Sequence, residues 1–178
     1  MTTSTTPVAT EAVELSQERR DLLQSLARHR GFLRQTARNL TDEQANTRST
    51  VSDLTVGGLI KHVTQVEGTW ARFVTEGPSA HQYAGDIDWT DYVNTFRMAE
   101  GETLAGLLSA YDAVAARTDD LVRTVDLDAG HPLPEAPWFH KESWSARRTF
   151  LHIIAETAQH AGHADIIRES IDGAKTMG

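Results

Sequence analysis

The 178-residue sequence contains no cysteine. Disulfides, thiolate metal sites and a cysteine nucleophile are therefore excluded, and any thiol chemistry must use a thiol supplied from outside. No apolar run approaches the ~20 residues of a membrane-spanning helix. The first residues, Met-Thr-Thr-Ser-Thr-Thr-Pro, lack the charged and apolar regions of a signal peptide. We therefore expect a cytoplasmic protein with no membrane partner.

Positive charge is scarce as well. The 17 lysines and arginines are outnumbered by 25 aspartates and glutamates, which gives a net charge of −8. Because binding to a phosphate backbone needs a basic face, we expect no nucleic-acid partner. The length suits one domain with its own core. Residues 1–12, rich in Thr, Ser and Ala, are predicted to be a disordered tail, which leaves residues 13–178 as the domain.

Four long stretches carry apolar residues at every third or fourth position, which is the spacing of amphipathic helices. The predicted helices cover about 15–39, 55–75 and 102–124, and a last one runs from Ser143 or Ser145 to Ile171. Thr41-Asp-Glu-Gln44 has the form of a capping box. With no convincing strand pattern, the sequence predicts an all-α four-helix bundle.

Two connections in this bundle are long. Residues 78–101 join the second and third helices, with some helix expected near 89–98, so these helices need not be hairpin neighbours. Residues 126–142 form a second loop, rich in proline and glycine. Its aromatic segment 138–140 either lines a substrate mouth or, more simply, caps the end of the bundle.

The last predicted helix contains most of the candidate functional residues. His152, Glu156, His160 and His163 share one narrow strip beside an apolar arc. Glu156 and His160 lie one turn apart, so a carboxylate oxygen and an imidazole nitrogen can bind one small cation together. The same spacing also occurs as a plain helix-surface contact, so a metal site needs a third ligand from elsewhere.

His62 is the natural third ligand, because it lies near the middle of the second helix, at the edge of its core-facing stripe. The alternative for such a residue is a core-edge histidine with its hydrogen bonds satisfied. Two histidines and one carboxylate with open positions form the ligand set of a catalytic divalent site. Zinc is the default ion, and nickel, manganese and iron are compatible with the same ligands.

Two further histidines flank the pair. His163 is the candidate catalytic residue, because it can relay a proton or orient a ligand. His152 lies about 12 Å along the helix axis from His160, so the two cannot both bind one ion. For His152 the simpler interpretation is a helix-edge histidine with a water or backbone partner.

Two motifs resemble a known family. Leu59-Ile-Lys-His-Val-x-x-Val-Glu-x-x-Trp70 is followed about ninety residues later by Leu151-His-x-Ile-x-Glu-Thr-Ala-x-His-Ala-Gly-His-Ala-Asp-Ile166. Together, and in the same helix order, they resemble the DinB/YfiT-like superfamily. Within it the chain is most similar to an actinobacterial branch near the mycothiol-dependent maleylpyruvate isomerases.

The resemblance implies a four-helix bundle with a divalent metal held by one histidine of the second helix and two residues of the last. Carried over by position, these are His62, Glu156 and His160. Glutamate at position 156 is shared with the mycothiol-dependent isomerases, whereas many members have histidine there. His163 falls where many members have glutamine. Members are often homodimers, and several use low-molecular-weight thiols such as mycothiol or bacillithiol.

The expected function is therefore a metal-dependent enzyme that activates a mycothiol-like thiol, or water, for transfer, isomerisation or hydrolysis of a small molecule. Metal coordination deprotonates a thiol and lowers the pKa of bound water. The alternative is a metal-containing binding or stress-response protein without turnover. A fourth protein ligand from His163, closing the shell, favours that alternative, whereas an open position beside a pocket favours the enzyme.

Overall fold

The computed structural model describes residues 14–81 and 95–176. Its long helices are α1 (Gln17–Thr36), α3 (Val56–Glu76), α4 (Leu104–Thr124) and α5 (Ala146–Asp172), with a short α2 (Asp42–Ala45) and a 3₁₀ turn (Gly77–Ala80) between them. α1 packs mainly on α5, and α3 packs on both α4 and α5. The predicted all-α bundle is confirmed. No helix in these ranges is long and apolar enough to cross a membrane.

Side-chain caps fix where each long helix begins. Ser16, Thr55, Thr103 and Ser145 each accept a hydrogen bond from the backbone N–H three residues ahead, which satisfies a donor that the helix itself leaves free. α1 ends at Thr36, before the predicted Asn39, because Asn39 takes a left-handed conformation with φ of 63° that a helix cannot continue.

The structure describes the predicted connections only in part. The tail at 1–12 and residues 82–94 lie outside the described residues, so most of the helix expected near 89–98 does too. Residues 95–98 are described, and they form a turn rather than a helix. This turn crosses closely over α3, because a Cβ at Gly58 would lie 1.7 Å from the carbonyl oxygen of Phe96.

The loop predicted at 126–142 contains a small sheet that the sequence analysis missed. β1 (Gly130–Pro132) pairs antiparallel with β2 (Ser143–Ser145), with His131 opposite Trp144. The pairing buries Trp144 and stacks its ring on Trp70, with the ring centroids 5.0 Å apart. Phe139 packs against Trp70 as well, so this part of the aromatic segment covers the end of the bundle.

A buried ion pair ties three helices together. Arg30 on α1 is 2% exposed and Glu67 on α3 is 0% exposed, and two hydrogen bonds of 2.5 and 3.2 Å join them. Arg30 also donates to Asp119 on α4 at 2.7 Å. Burial lowers the pKa of Arg30, but the hydrogen bonds and charges of Glu67 and Asp119 outweigh it and raise the pKa above its ordinary value.

We predict that Arg30→Met lowers the free energy of unfolding by about 3–5 kcal/mol, because it leaves the Glu67 carboxylate buried without a partner. Arg30→Met combined with Glu67→Leu is the matched control. It removes both charges, and its stability in urea denaturation should return close to that of the wild type. Equal losses in the single and double variants would contradict the ion-pair account.

Candidate functional site

The structure brings together the three residues that the sequence put forward as metal ligands. His62 extends from α3, whereas Glu156 and His160 extend from successive turns of α5. One ligand atom from each residue lies within 4.8 Å of the other two. Glu156 Oε2 is 3.6 Å from His160 Nε2, and the rings of His62 and His160 meet edge to face with centroids 4.9 Å apart.

The group lies at the edge of the core, as the sequence pattern predicts. His62 is 8% exposed, and the side chains of His160 and Glu156 are 12% and 29% exposed. The three groups are therefore withdrawn from bulk water, but one side remains accessible. Such a position suits a small ligand that must enter and leave.

Burial keeps His62 neutral. Burial and the neighbouring His160 lower its pKa and Glu156 partly offsets them, so that the pKa of His62 is about 4. The ring of Phe96 stacks on His62 with centroids 4.1 Å apart, a contact that depends on the close crossing of the 95–98 turn over Gly58. A neutral imidazole has a lone pair available for a metal at pH 7.

Glu156 is ionised among imidazoles. Its pKa is held below the ordinary value mainly by the imidazole of His160, whose effect outweighs that of burial. A carboxylate and two neutral nitrogens are an ordinary donor set for a divalent transition metal. The donor chemistry therefore fits the predicted ion.

His163, the predicted catalytic residue, lies beside this group rather than in it. Its Nδ1 is 3.4 Å from Nδ1 of His160, while Nε2 of His160 faces Glu156. The two nitrogens of the His160 ring thus have different partners. With an ion bound at Nε2, a hydrogen bond from Nδ1–H of His160 to His163 would hold the His160 ring in the tautomer that can ligate the ion.

His152 contacts Glu156, a partner that the sequence analysis did not predict. Its Nε2 lies 3.8 Å from the second oxygen of Glu156, and its ring packs between Trp70 and Trp144 at 4.8 and 5.0 Å. Burial lowers the pKa of His152, which Glu156 partly offsets. The pairing of β1 with β2 brings Trp144 to His152. The contact could therefore not be predicted from the helical periodicity of α5.

His81 is a second residue that the sequence analysis missed. It follows the 3₁₀ turn at the end of α3, and its ring packs on Trp70 with centroids 4.4 Å apart. Burial, with smaller contributions from the charges of Arg72 and His152, lowers its pKa to about 4. Nothing in the local sequence marks this position, because its environment comes from the fold.

A cleft of about 650 Å³ extends from His62 along α3 to His81. A larger groove of about 860 Å³ lies between the end of α1 and the start of α4, and none of the three grouped residues lines it. The smaller cleft is therefore in contact with the candidate metal ligands through His62.

Comparison with known proteins identifies a family whose sequences match this chain. The family described as mycothiol-S-transferase matches residues 21–173 of the chain. Among solved structures, a conserved protein from Enterococcus faecalis is similar, with a TM-score of 0.65 and 15% identity over 87% of this chain and 97% of that one. At this identity the likeness concerns the fold alone. No curated protein matches the sequence.

The lowered pKa of His81 predicts a pH-dependent stability. Because the folded state binds the proton less tightly than the unfolded state, stability falls as the pH drops from about 6.5 to about 4. Between pH 7 and 5, the metal-free wild type should lose about 2 kcal/mol more unfolding free energy than His81→Phe. The exposed His140, changed to Phe, serves as the control, and identical pH profiles for wild type and His81→Phe would refute the prediction.

Proposed function

The chain belongs to the mycothiol-S-transferase family, and from this premise we propose that it is a metal-dependent enzyme that transfers the sulfur of a mycothiol-like thiol to a small electrophile. The convergence of His62, Glu156 and His160 beside a cleft is the observation that carries the proposal. The chain has no cysteine, so the nucleophilic sulfur must come from the bound thiol.

We propose that His62, Glu156 and His160 hold the ion, with zinc as the default and nickel, manganese or iron as compatible alternatives. Among the described residues, the group of possible ligands contains these three side chains alone. Three protein ligands leave a coordination position open, which is typical of catalytic rather than structural sites. When bound, a divalent ion supplies a Lewis acid that favours a thiolate over a thiol at neutral pH.

Residues of the chain set the charge of the site and the orientation of its ligands. Burial holds His62 in the neutral form, and the ionised Glu156 contributes a negative charge that offsets part of the ion's charge. His163 contacts His160 on the ring nitrogen that faces away from Glu156. We therefore propose that His163 orients His160, which is one of the two roles that the sequence analysis considered for it, rather than transferring a proton.

The reaction follows from these roles. The thiol loses its proton to solvent, the sulfur forms a bond with an electrophilic carbon, and the bond from that carbon to its leaving group breaks. Isomerisation or hydrolysis of a small molecule uses the same ligand set. The family favours transfer to a small molecule with a thiol as cosubstrate.

Two further properties follow from the family resemblance and not from contacts in the structure. We propose that the protein is cytoplasmic and that it forms a homodimer. Light scattering at micromolar concentration should give twice the 19.6 kDa mass of the chain. A mass of one chain across that range would refute the dimer.

The metal assignment predicts that protein loaded with Zn²⁺ and desalted retains about one ion per chain, as expected for a three-ligand site. His62→Ala and His160→Ala should each lose the ion, because two remaining ligands bind weakly. His163→Ala is the matched control, and it should keep the ion with reduced affinity. Metal analysis checks these contents, and full occupancy in His160→Ala would exclude the assignment.

The transferase proposal predicts that the zinc-loaded protein accelerates the reaction of mycothiol with an alkyl halide, with loss of free thiol equal to the halide released. His160→Ala should lower this rate at least a hundredfold, toward the uncatalysed rate. Halide release at the same rate without thiol would instead show a hydrolase. Stoichiometric metal with no turnover of any tested electrophile would favour the non-catalytic binding protein.

A further inference from the structure

Most of the described residues that line the cleft beside His62 have polar side chains. Among its lining residues that the structure describes, only Val66, Trp70 and Ala80 are apolar. The others have hydrogen-bonding side chains, namely His62, Gln65, Thr69, Arg72, Glu76, Ser79, His81 and Thr95. This cleft therefore suits a ligand that is itself rich in polar groups.

Four of these side chains form one row on α3. Gln65, Thr69, Arg72 and Glu76 follow one another at intervals of three or four residues, so they share a face of the helix. The row begins less than one turn after His62. At about 1.5 Å per residue, Arg72 lies about 15 Å along the helix axis from His62. The row therefore extends from the candidate metal ligands over the length of an extended small molecule.

The polar groups of these four side chains are available to bind a ligand. Within the part of the chain that the structure describes, the side chains of Gln65, Thr69 and Glu76 make no hydrogen bond or ion pair. Arg72 makes a single hydrogen bond, to the carbonyl oxygen of Ala80 at 3.3 Å, and it has no ion pair there. Four of the five guanidinium N–H groups therefore remain for other acceptors.

The net charge of the cleft indicates whether it suits a charged or a neutral polar ligand. Arg72 and Glu76 are its two charged groups among the described lining residues, and their charges cancel. A phosphate or carboxylate would be bound by an excess of positive charge, which this lining lacks. Neutral hydroxyl groups, which both donate and accept, match a lining that contains amide, hydroxyl, guanidinium and carboxylate groups.

We propose that the cleft along α3 is the binding site for the neutral, hydroxyl-rich part of the thiol cosubstrate, with Gln65, Thr69 and Arg72 as its specificity-determining residues. This inference rests on the proposed function, which places the sulfur at His62, Glu156 and His160. Mycothiol has the required chemistry, because an N-acetylcysteine in it is joined to a sugar–inositol unit. The sulfur end then meets the metal ligands while the hydroxyl groups follow the row toward Arg72.

The test compares two thiols that share the N-acetylcysteine part. Binding of mycothiol and of N-acetylcysteine to zinc-loaded protein is measured by calorimetry for the wild type, Thr69→Val and Arg72→Leu. Arg117→Leu is the matched control, because Arg117 is an exposed arginine on α4 outside this cleft. Thr69→Val keeps the shape of the side chain and removes only the hydroxyl, so it supports the comparison if Arg72→Leu folds poorly.

The wild type should bind mycothiol more tightly than N-acetylcysteine. Thr69→Val and Arg72→Leu should each weaken mycothiol binding about three- to tenfold, the effect of one or two lost hydrogen bonds, and leave N-acetylcysteine binding unchanged. Arg117→Leu should change neither. Equal wild-type affinity for both thiols, or equal weakening of both in the variants, would overturn the subsite alone. Failure of the wild type to bind either thiol would overturn the proposed function.

Discussion

The packing of α3 against α5 is the constraint on which the rest of the structure depends. At this contact an ionised carboxylate and two imidazoles are withdrawn from water, which is costly unless each polar group has a partner. Glu156 lies 3.6 Å from His160 and 3.8 Å from His152, and His62 completes the group from the other helix. A divalent ion would neutralise the carboxylate and use both lone pairs. The same contact thus closes the bundle and builds the site.

Much of this site could be predicted from the sequence, because helical periodicity determines which residues share a face. His62 at the edge of an apolar stripe, and Glu156 one turn before His160, are both consequences of 3.6 residues per turn. Trp144 and His81 could not be found in this way. Trp144 is placed by strands of three residues, too short to show alternation, and the environment of His81 comes from distant parts of the chain. The close crossing of the 95–98 turn likewise depends on tertiary packing against Gly58.

The arrangement of histidines bears on the choice between the two expected classes of protein. A fourth ligand from His163 would close the shell, but its Nδ1 meets His160 on the nitrogen that faces away from Glu156. The polar cleft instead begins at His62, where an incoming ligand would find space. A chain without cysteine can in this way bring sulfur to an ion without supplying any sulfur of its own. These features support the enzyme over a closed, non-catalytic metal protein.

The central claim is that a thiol sulfur reaches the ion held by His62, Glu156 and His160. Cobalt(II) tests it most directly, because it accepts the same ligands as zinc and its spectrum reports coordination by sulfur. Protein loaded with one cobalt per chain is titrated with mycothiol, and His163→Ala is titrated in parallel. The account predicts a sulfur-to-cobalt charge-transfer band in both that saturates at one thiol per chain. A spectrum of fully loaded wild-type protein that stays unchanged at saturating thiol would contradict it.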